Sequence, residues 1–192
     1  ESFRDDNIFA VAELLRRDVT VETVHNITKI TPHFLESIRK IVAMERTLSA
    51  NIGDLETLKA AKPILEQYGV TVMPEPLNVK VNHPGYYLTT ASEAFDIIRE
   101  VDSPFVKVVY DIYHQQVTEG DIIPTVTKHL DLIAHLHSAG HPGRHDLWEG
   151  ELNYKYIFDA IDKAGYTGAC GLEYGALGDP IESLKRAKAI YG

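Results

Sequence analysis

Glu75, Asp111, His137 and Glu173 each close a run of apolar and β-branched residues, and they recur at intervals of 36, 26 and 36 positions. The runs are "GVTVMPE", "FVKVVYD", "LDLIAHLH" and "TGACGLEY", the last extending one residue past its glutamate. Three carboxylates and one imidazole form a ligand set suited to a hard or borderline divalent ion: Mn²⁺, Mg²⁺, Co²⁺ or Zn²⁺. Without a cation the gathered carboxylates repel one another, and a bound ion removes that cost. A single acid at a strand end often does no more than cap the following loop, but four in consecutive units are hard to obtain that way.

The elements that must position these groups follow from periodicity. The four runs read as strands. Helical spacing occupies "TASEAFDIIREV", "DIIPTVTKHL", "NYKYIFDAIDKAG" and, after the last strand, "DPIESLKRAKAI". Thr90 with Glu93 has the form of a capping box, Asp179 followed by Pro180 gives a cap with proline in the first turn, and Gly69 and Gly165 stand where helices end. Strands alternating with helices imply βαβ units and parallel strands, whose C-terminal ends share one face. Each interval between the four residues is about one such unit, so their side chains are expected to converge.

The first third is less regular. "DNIFAVAELLRR" reads as a helix and "VTVETVHNI" as a strand with Val19, Val21 and Val24 inward. "TPHFLESIRKIVAMERTL" reads as a helix capped by Thr31 with Pro32 at its start, and "DLETLKAAKPILEQYG" as another directly after it. The expected fold is therefore α/β, a TIM-barrel-type parallel βα repeat that is incomplete. It has about five recognisable strands against the eight of a closed barrel, and 192 residues against roughly 250. Residues 1–192 read as one domain, irregular over 1–51 and built of βα units over 52–192.

Composition narrows the partners. A net charge of −9 opposes nucleic acid and acidic membrane surfaces and leaves a small molecule in a pocket as the expected partner. Cys170 is the one cysteine, so disulfides and a four-cysteine zinc site are excluded, and the nine histidines stand out. No run approaches the roughly 18 to 20 apolar residues of a membrane helix, and the start lacks a signal-peptide pattern, so a cytoplasmic location is expected. A first residue of Glu rather than Met reads as a processed or partial chain.

"VMPEPLN", "YDIYHQQ", "HLHSAGHPGRHDLWEGELNY" and "GLEYGALGDP" resemble, in order, blocks of the xylose isomerase-like barrel superfamily, especially hydroxypyruvate isomerases and ketose 3-epimerases. The similarity runs from about residue 52 to the C-terminus. It implies that Glu75, Asp111, His137 and Glu173 bind one divalent ion, that Glu75 and Glu173 move a proton between neighbouring carbons, and that His114 and Arg144 contact substrate oxygens. The implied activity is isomerisation or epimerisation of a small sugar or hydroxy acid through an enediolate. A histidine at 137, where hydroxypyruvate isomerases carry glutamine, is nearer the epimerase pattern, whereas "PGR" is nearer the isomerases. Two rivals stand beside this reading: an apurinic-site endonuclease of the same superfamily, opposed by the charge of −9 and by the lack of further histidines on early strands, and a non-catalytic partial barrel. A homo-oligomer is left open.

The residues also have plainer readings. His114 serves either as a loop histidine bonded to a neighbouring carbonyl, or as a donor or proton carrier at a substrate oxygen. Arg144 lies in a polar loop with His141, His145 and Asp146, and is either solvated or a substrate clamp. His135 and His137 are expected on opposite faces of their strand, with His137 facing the site. His25, His33, His83 and His129 read as surface or core residues, Glu149 and Glu151 as solvated loop acids, Tyr154, Tyr156 and Phe158 as helix packing, and Cys170 as a core residue.

Overall fold

The structure, a computed structural model, describes residues 7–51 and 54–191. It divides into two units, Glu1–Gly69 and Val70–Gly192, whereas the rhythm of the sequence changes near residue 51. No helix among the described residues is long and apolar enough to cross a membrane.

The first unit is helical: α1 (Asn7–Arg16), α2 (Val21–Thr28), α3 (Pro32–Ala50) and α4 (Leu55–Tyr68). Here the strand expected over "VTVETVHNI" is corrected, because from Val21 onward its residues lie in α2. Thr20 accepts the N–H of Thr23 at 3.2 Å and so caps the helix, and Glu22 sits in the first turn beside the positive end of the dipole. Val24 then turns inward to join Val11, Leu15, Leu35, Ile38 and Val42 in one core. A good cap and packing against α1 and α3 outweigh the β preference of three valines. Asp54 caps α4 by accepting the N–H of Thr57 at 2.8 Å, and Gly69, at φ 64°, ends it in the left-handed region.

The second unit carries the βα rhythm: α5 (Ala91–Val101), β1 (Val108–Asp111), α6 (Ile112–Thr118), α7 (Ile122–Lys128), β2 (Ile133–Ser138), α8 (Tyr154–Lys163), β3 (Cys170–Leu172) and α9 (Pro180–Tyr191). The three strands are parallel in the order β1-β2-β3. Ahead of them an extended segment runs parallel to β1. Val72 donates to Phe105 O at 2.9 Å, Lys107 to Val72 O at 3.0 Å and Val109 to Pro74 O at 3.1 Å. The sheet is thus a partial parallel βα barrel wall. The expected five strands become three plus this bridged segment among the described residues.

The capping signals at Thr90 and Asp179 act as their chemistry requires, whereas Thr31 begins α3 without a side-chain capping hydrogen bond. Thr90 Oγ1 accepts the N–H of Glu93 at 3.2 Å, and Asp179 Oδ1 accepts from Ile181 and Glu182 at 2.9 Å. Tyr154 and Phe158 are buried on α8, and the Tyr154 hydroxyl donates to Ala139 O at 2.7 Å, anchoring the chain just past β2. Tyr156, on the other side of that helix, is exposed. Cys170 is only partly buried at the start of β3.

Candidate functional site

Register decides where the strand-terminal groups stand. Asp111 pairs with His137 across β1 and β2, and His137 pairs with Gly171 across β2 and β3. Glu173 stays on the ladder through its N–H to Ser138 O at 3.1 Å, and Glu75 follows the segment bonded to β1. Four consecutive parallel segments therefore deliver Glu75, Asp111, His137 and Glu173 to one end of the sheet. One ligand atom from each lies within 4.8 Å of every other.

The contacts inside this cluster are polar and close. His137 Nδ1 is 3.1 Å from Glu75 Oε1 and 3.1 Å from Glu173 Oε2. Asp111 is fully buried. Its Oδ1 accepts the backbone N–H of His114 at 3.0 Å and so caps α6, while Oδ2 has no hydrogen-bond partner among the described residues and turns into the cluster. Removal from water, then the charge of Asp111, push the Glu75 carboxyl above the usual carboxylate range despite the hydrogen bond from His137. Burial likewise raises Asp111, against the bond from His114 and the positive charge of Arg144. Paired acids raised in this way, with one buried oxygen left without a partner, suit a divalent cation on chemical grounds.

His135 and His137 share a face. Their rings meet edge to face with centroids 4.9 Å apart, which corrects the expectation of opposite faces: side chains two positions apart on a strand lie on the same side. Gly171 makes room for both imidazoles. A Cβ at that position would lie 2.8 Å from His137 Cδ2 and 3.1 Å from His135 Nε2, so any side chain would displace them.

His114 and Arg144 both reach the cluster. His114, on the first turn of α6, is fully buried with Nε2 3.9 Å from Asp111 Oδ2. Burial, and then the charge of Arg144, lower its pKa to about 3, so the ring is neutral at physiological pH. Among the described residues no backbone carbonyl satisfies it; Nδ1 bonds to Asn78. Arg144 places Nη2 3.0 Å from Glu173 Oε2 and 3.7 Å from Asp111 Oδ2, with its guanidinium 5.5 Å from the centre of the Tyr113 ring. Its backbone sits at φ 59°, and its carbonyl accepts the N–H of Gly175, so the loop after β2 is tied to the loop after Glu173. Asp146 strengthens the tie by accepting the N–H of Leu177 at 2.9 Å and the hydroxyl of Ser183.

Other residues around the site carry no obvious sequence signal. Gln115 is buried and bridges two loops, donating to Pro76 O at 3.0 Å and accepting from Ala91 at 3.0 Å. His83 brings its ring centroid within 5.3 Å of that of His114. Asn78 lies three residues past Glu75 inside "VMPEPLN", and that fixed offset from a candidate ligand was the one clue to it. Glu151 is exposed as expected, yet it lies 3.4 Å from His141 Nε2.

Residues 55–190 match the family model described as xylose isomerase-like TIM barrel. Residues 1–65 match a second model, the oligomerisation domain of the carbamoyl-phosphate synthetase large chain. The 2-oxo-tetronate isomerase of Cupriavidus necator is 40% identical over 120 residues, 62% of this chain and 46% of that protein. The hydroxypyruvate isomerase of Escherichia coli K12 is 37% identical over 120 residues, again 62% and 46%. A crystal structure of AP endonuclease, family 2, from Brucella melitensis superposes with a TM-score of 0.66 at 36% identity, covering 70% of this chain and 52% of that one. The chain spans about half the length of the curated relatives it matches.

Proposed function

The chain belongs to the xylose isomerase-like TIM barrel family, and from that premise we propose that it is a divalent-metal-dependent isomerase or epimerase acting on a small hydroxy-carbonyl compound. The supporting observation is the meeting of Glu75, Asp111, His137 and Glu173 at one end of the sheet, with ligand atoms within 4.8 Å of one another. These four residues would hold the ion, with Mn²⁺, Mg²⁺, Co²⁺ and Zn²⁺ all compatible with the donor set. When bound, a divalent cation supplies charge stabilisation at the carbonyl and the adjacent hydroxyl of the substrate. The relatives named for 2-oxo-tetronate and hydroxypyruvate isomerisation point to a hydroxy acid or ketose as substrate.

In this reading one of the two glutamates takes the proton from the carbon beside the carbonyl, leaving an enediolate. In isomerisation the resulting carboxylic acid returns a proton to the neighbouring carbon while the enediolate hydroxyl proton passes to the former carbonyl oxygen; in epimerisation the second glutamate, entering as the carboxylic acid, returns one to the opposite face of the same carbon. A glutamate that holds the ion is a weak base, so Glu75 or Glu173 could take this proton only because the same ion would acidify the substrate C–H. Arg144 directs a fork of donors into the site and would hold a substrate carboxylate or hydroxyl.

The test is a metal-supplemented screen of ketoses and hydroxypyruvate in deuterated water. Deuterium at the carbon beside the carbonyl is the expected result, and no exchange with any member would overturn the reading. The neighbour titled AP endonuclease keeps a nuclease reading in view, but the charge of −9 disfavours a polyanion. Cleavage of an abasic duplex, without sugar exchange, would favour it.

The first unit supports self-association. Its match to an oligomerisation domain coincides with exposed Phe9 and Ile27, at 74% and 76% exposure. Sedimentation velocity over a concentration series is expected to show a homo-oligomer that Phe9→Glu weakens. A wild-type chain monomeric throughout would remove this role.

A further inference from the structure

A backbone N–H can donate a hydrogen bond but cannot accept one, and this simple asymmetry fixes the state of His114. The backbone N–H of Asn78 donates to His114 Nδ1 at 3.2 Å. The Asn78 side chain adds a second contact, Nδ2 lying 2.6 Å from the same atom. Its amide cannot be turned over, because Oδ1 already accepts the N–H groups of Val81 at 3.0 Å and Asn82 at 3.3 Å. The other hydrogen of Nδ2 goes to Asn82 Oδ1 at 3.0 Å, and that oxygen also accepts the Tyr113 hydroxyl at 2.8 Å. Two donors therefore converge on Nδ1, which must offer its lone pair, so the network assigns the single ring proton of the neutral imidazole to Nε2.

Among the described residues Nε2 has no hydrogen-bond partner; it points into the cluster, 3.9 Å from Oδ2 of Asp111, which has none there either. The rings of His83 and Tyr113, each with its centroid 5.3 Å away, flank the imidazole. A buried N–H left open in this way carries a desolvation cost that a ligand acceptor would remove. It is an unfilled donor site at the candidate centre.

We propose that Asn78 is a positioning residue that locks His114 in its Nε2–H form, so that His114 serves as a hydrogen-bond donor to a substrate oxygen and not as a carrier of protons between oxygens. The ligand feature it recognises is an oxygen lone pair, either a hydroxyl or the oxyanion that develops beside the reacting carbon. That substrate role rests on the isomerase or epimerase reading; the tautomer lock stands apart from it. It also separates the two roles open to this histidine from sequence, since a nitrogen whose lone pair is held by Asn78 cannot exchange protons and the other nitrogen already bears one.

The test is a long-range ¹H–¹⁵N correlation spectrum of the full chain labelled in histidine nitrogen, recorded with and without Mg²⁺. His114→Gln assigns the signals. The expected wild-type pattern is a pyrrole-like Nε2 and a pyridine-like Nδ1 at residue 114. Asn78→Asp replaces the side-chain donor with an acceptor and is expected to move the ring toward the Nδ1–H form, with kcat about 10²-fold lower, the scale of losing one donor to a developing oxyanion. Asn78→Ala keeps the backbone donor and is expected to keep the wild-type tautomer. A wild-type ring protonated at Nδ1, or one moved to the Nδ1–H form in a folded Asn78→Ala that keeps the backbone donor, would overturn the lock. The expected tautomer in a chain that exchanges no substrate proton would instead overturn the isomerase reading and leave the lock in place.

Discussion

Glu173→Gln is expected to lower proton exchange at the substrate carbon by about 10²–10⁴-fold, the range for loss of a positioned general base. The substitution keeps the size and hydrogen-bonding reach of the side chain, but an amide can neither take a proton from carbon nor contribute a full charge to the cluster. The fold should survive. The Glu173 side chain is 49% exposed, and its contact with Arg144 at 3.0 Å is a partly solvated ion pair. Such pairs contribute about 0–1 kcal/mol, so the thermal melt should stay close to that of the wild type. Label exchange in deuterated water and a melt on the same sample separate the two effects. Wild-type exchange in a folded Glu173→Gln chain would remove this residue from the mechanism.

The second large effect is expected on chelation. Stripping divalent ions should abolish exchange, with added Mn²⁺ or Co²⁺ restoring it, because the gathered carboxylates need a cation to hold their charges together. The same ions should stabilise the chain. A ligand that binds only the folded state contributes about 2.7 kcal/mol when present at 100 times its dissociation constant.

The sign with pH follows from Glu75 and Asp111, both raised in the folded chain. A raised carboxyl favours the fold while it is protonated, and that contribution is lost as pH rises through its folded pKa. Free of metal, the chain should therefore be weakened by these two acids toward neutral pH, where a cation has most to offset. As pH falls through the same two values, protons displace the ion and the stabilisation by metal should fade. Exchange and melting temperature that ignore chelation at neutral pH would eliminate the metal role.

The convergence of the four candidate ligands could be read from the chain because it needs only two facts: parallel βα units put strand ends on one face, and Glu75, Asp111, His137 and Glu173 recur at about one unit each. Helix α5 was equally legible from Thr90 and its apolar spacing, since a cap and a 3.6-residue stripe are local properties. The valines at 19, 21 and 24 misled because β preference is local too, and it lost to the cap at Thr20 and to the packing of Val24 against α1 and α3. The histidine pair at 135 and 137 needed no tertiary knowledge at all, since the two-residue period of a strand puts both rings on one face.

The sequence by itself determined the parallel βα rhythm, the starts of helices such as α5 and α9 and the types of side chain gathered at the strand ends, because each depends on residues within a few positions or on a repeating interval. Only the tertiary structure decided that Asn78 faces His114 and that Arg144 leans on Glu173. Those partners come from different βα units, His114 from the first turn of a helix and the others from loops, and hydrogen-bond strength falls away within a fraction of an ångström. No spacing along the chain specifies such a distance; it is set by how strands pair and how loops are tied across the end of the sheet.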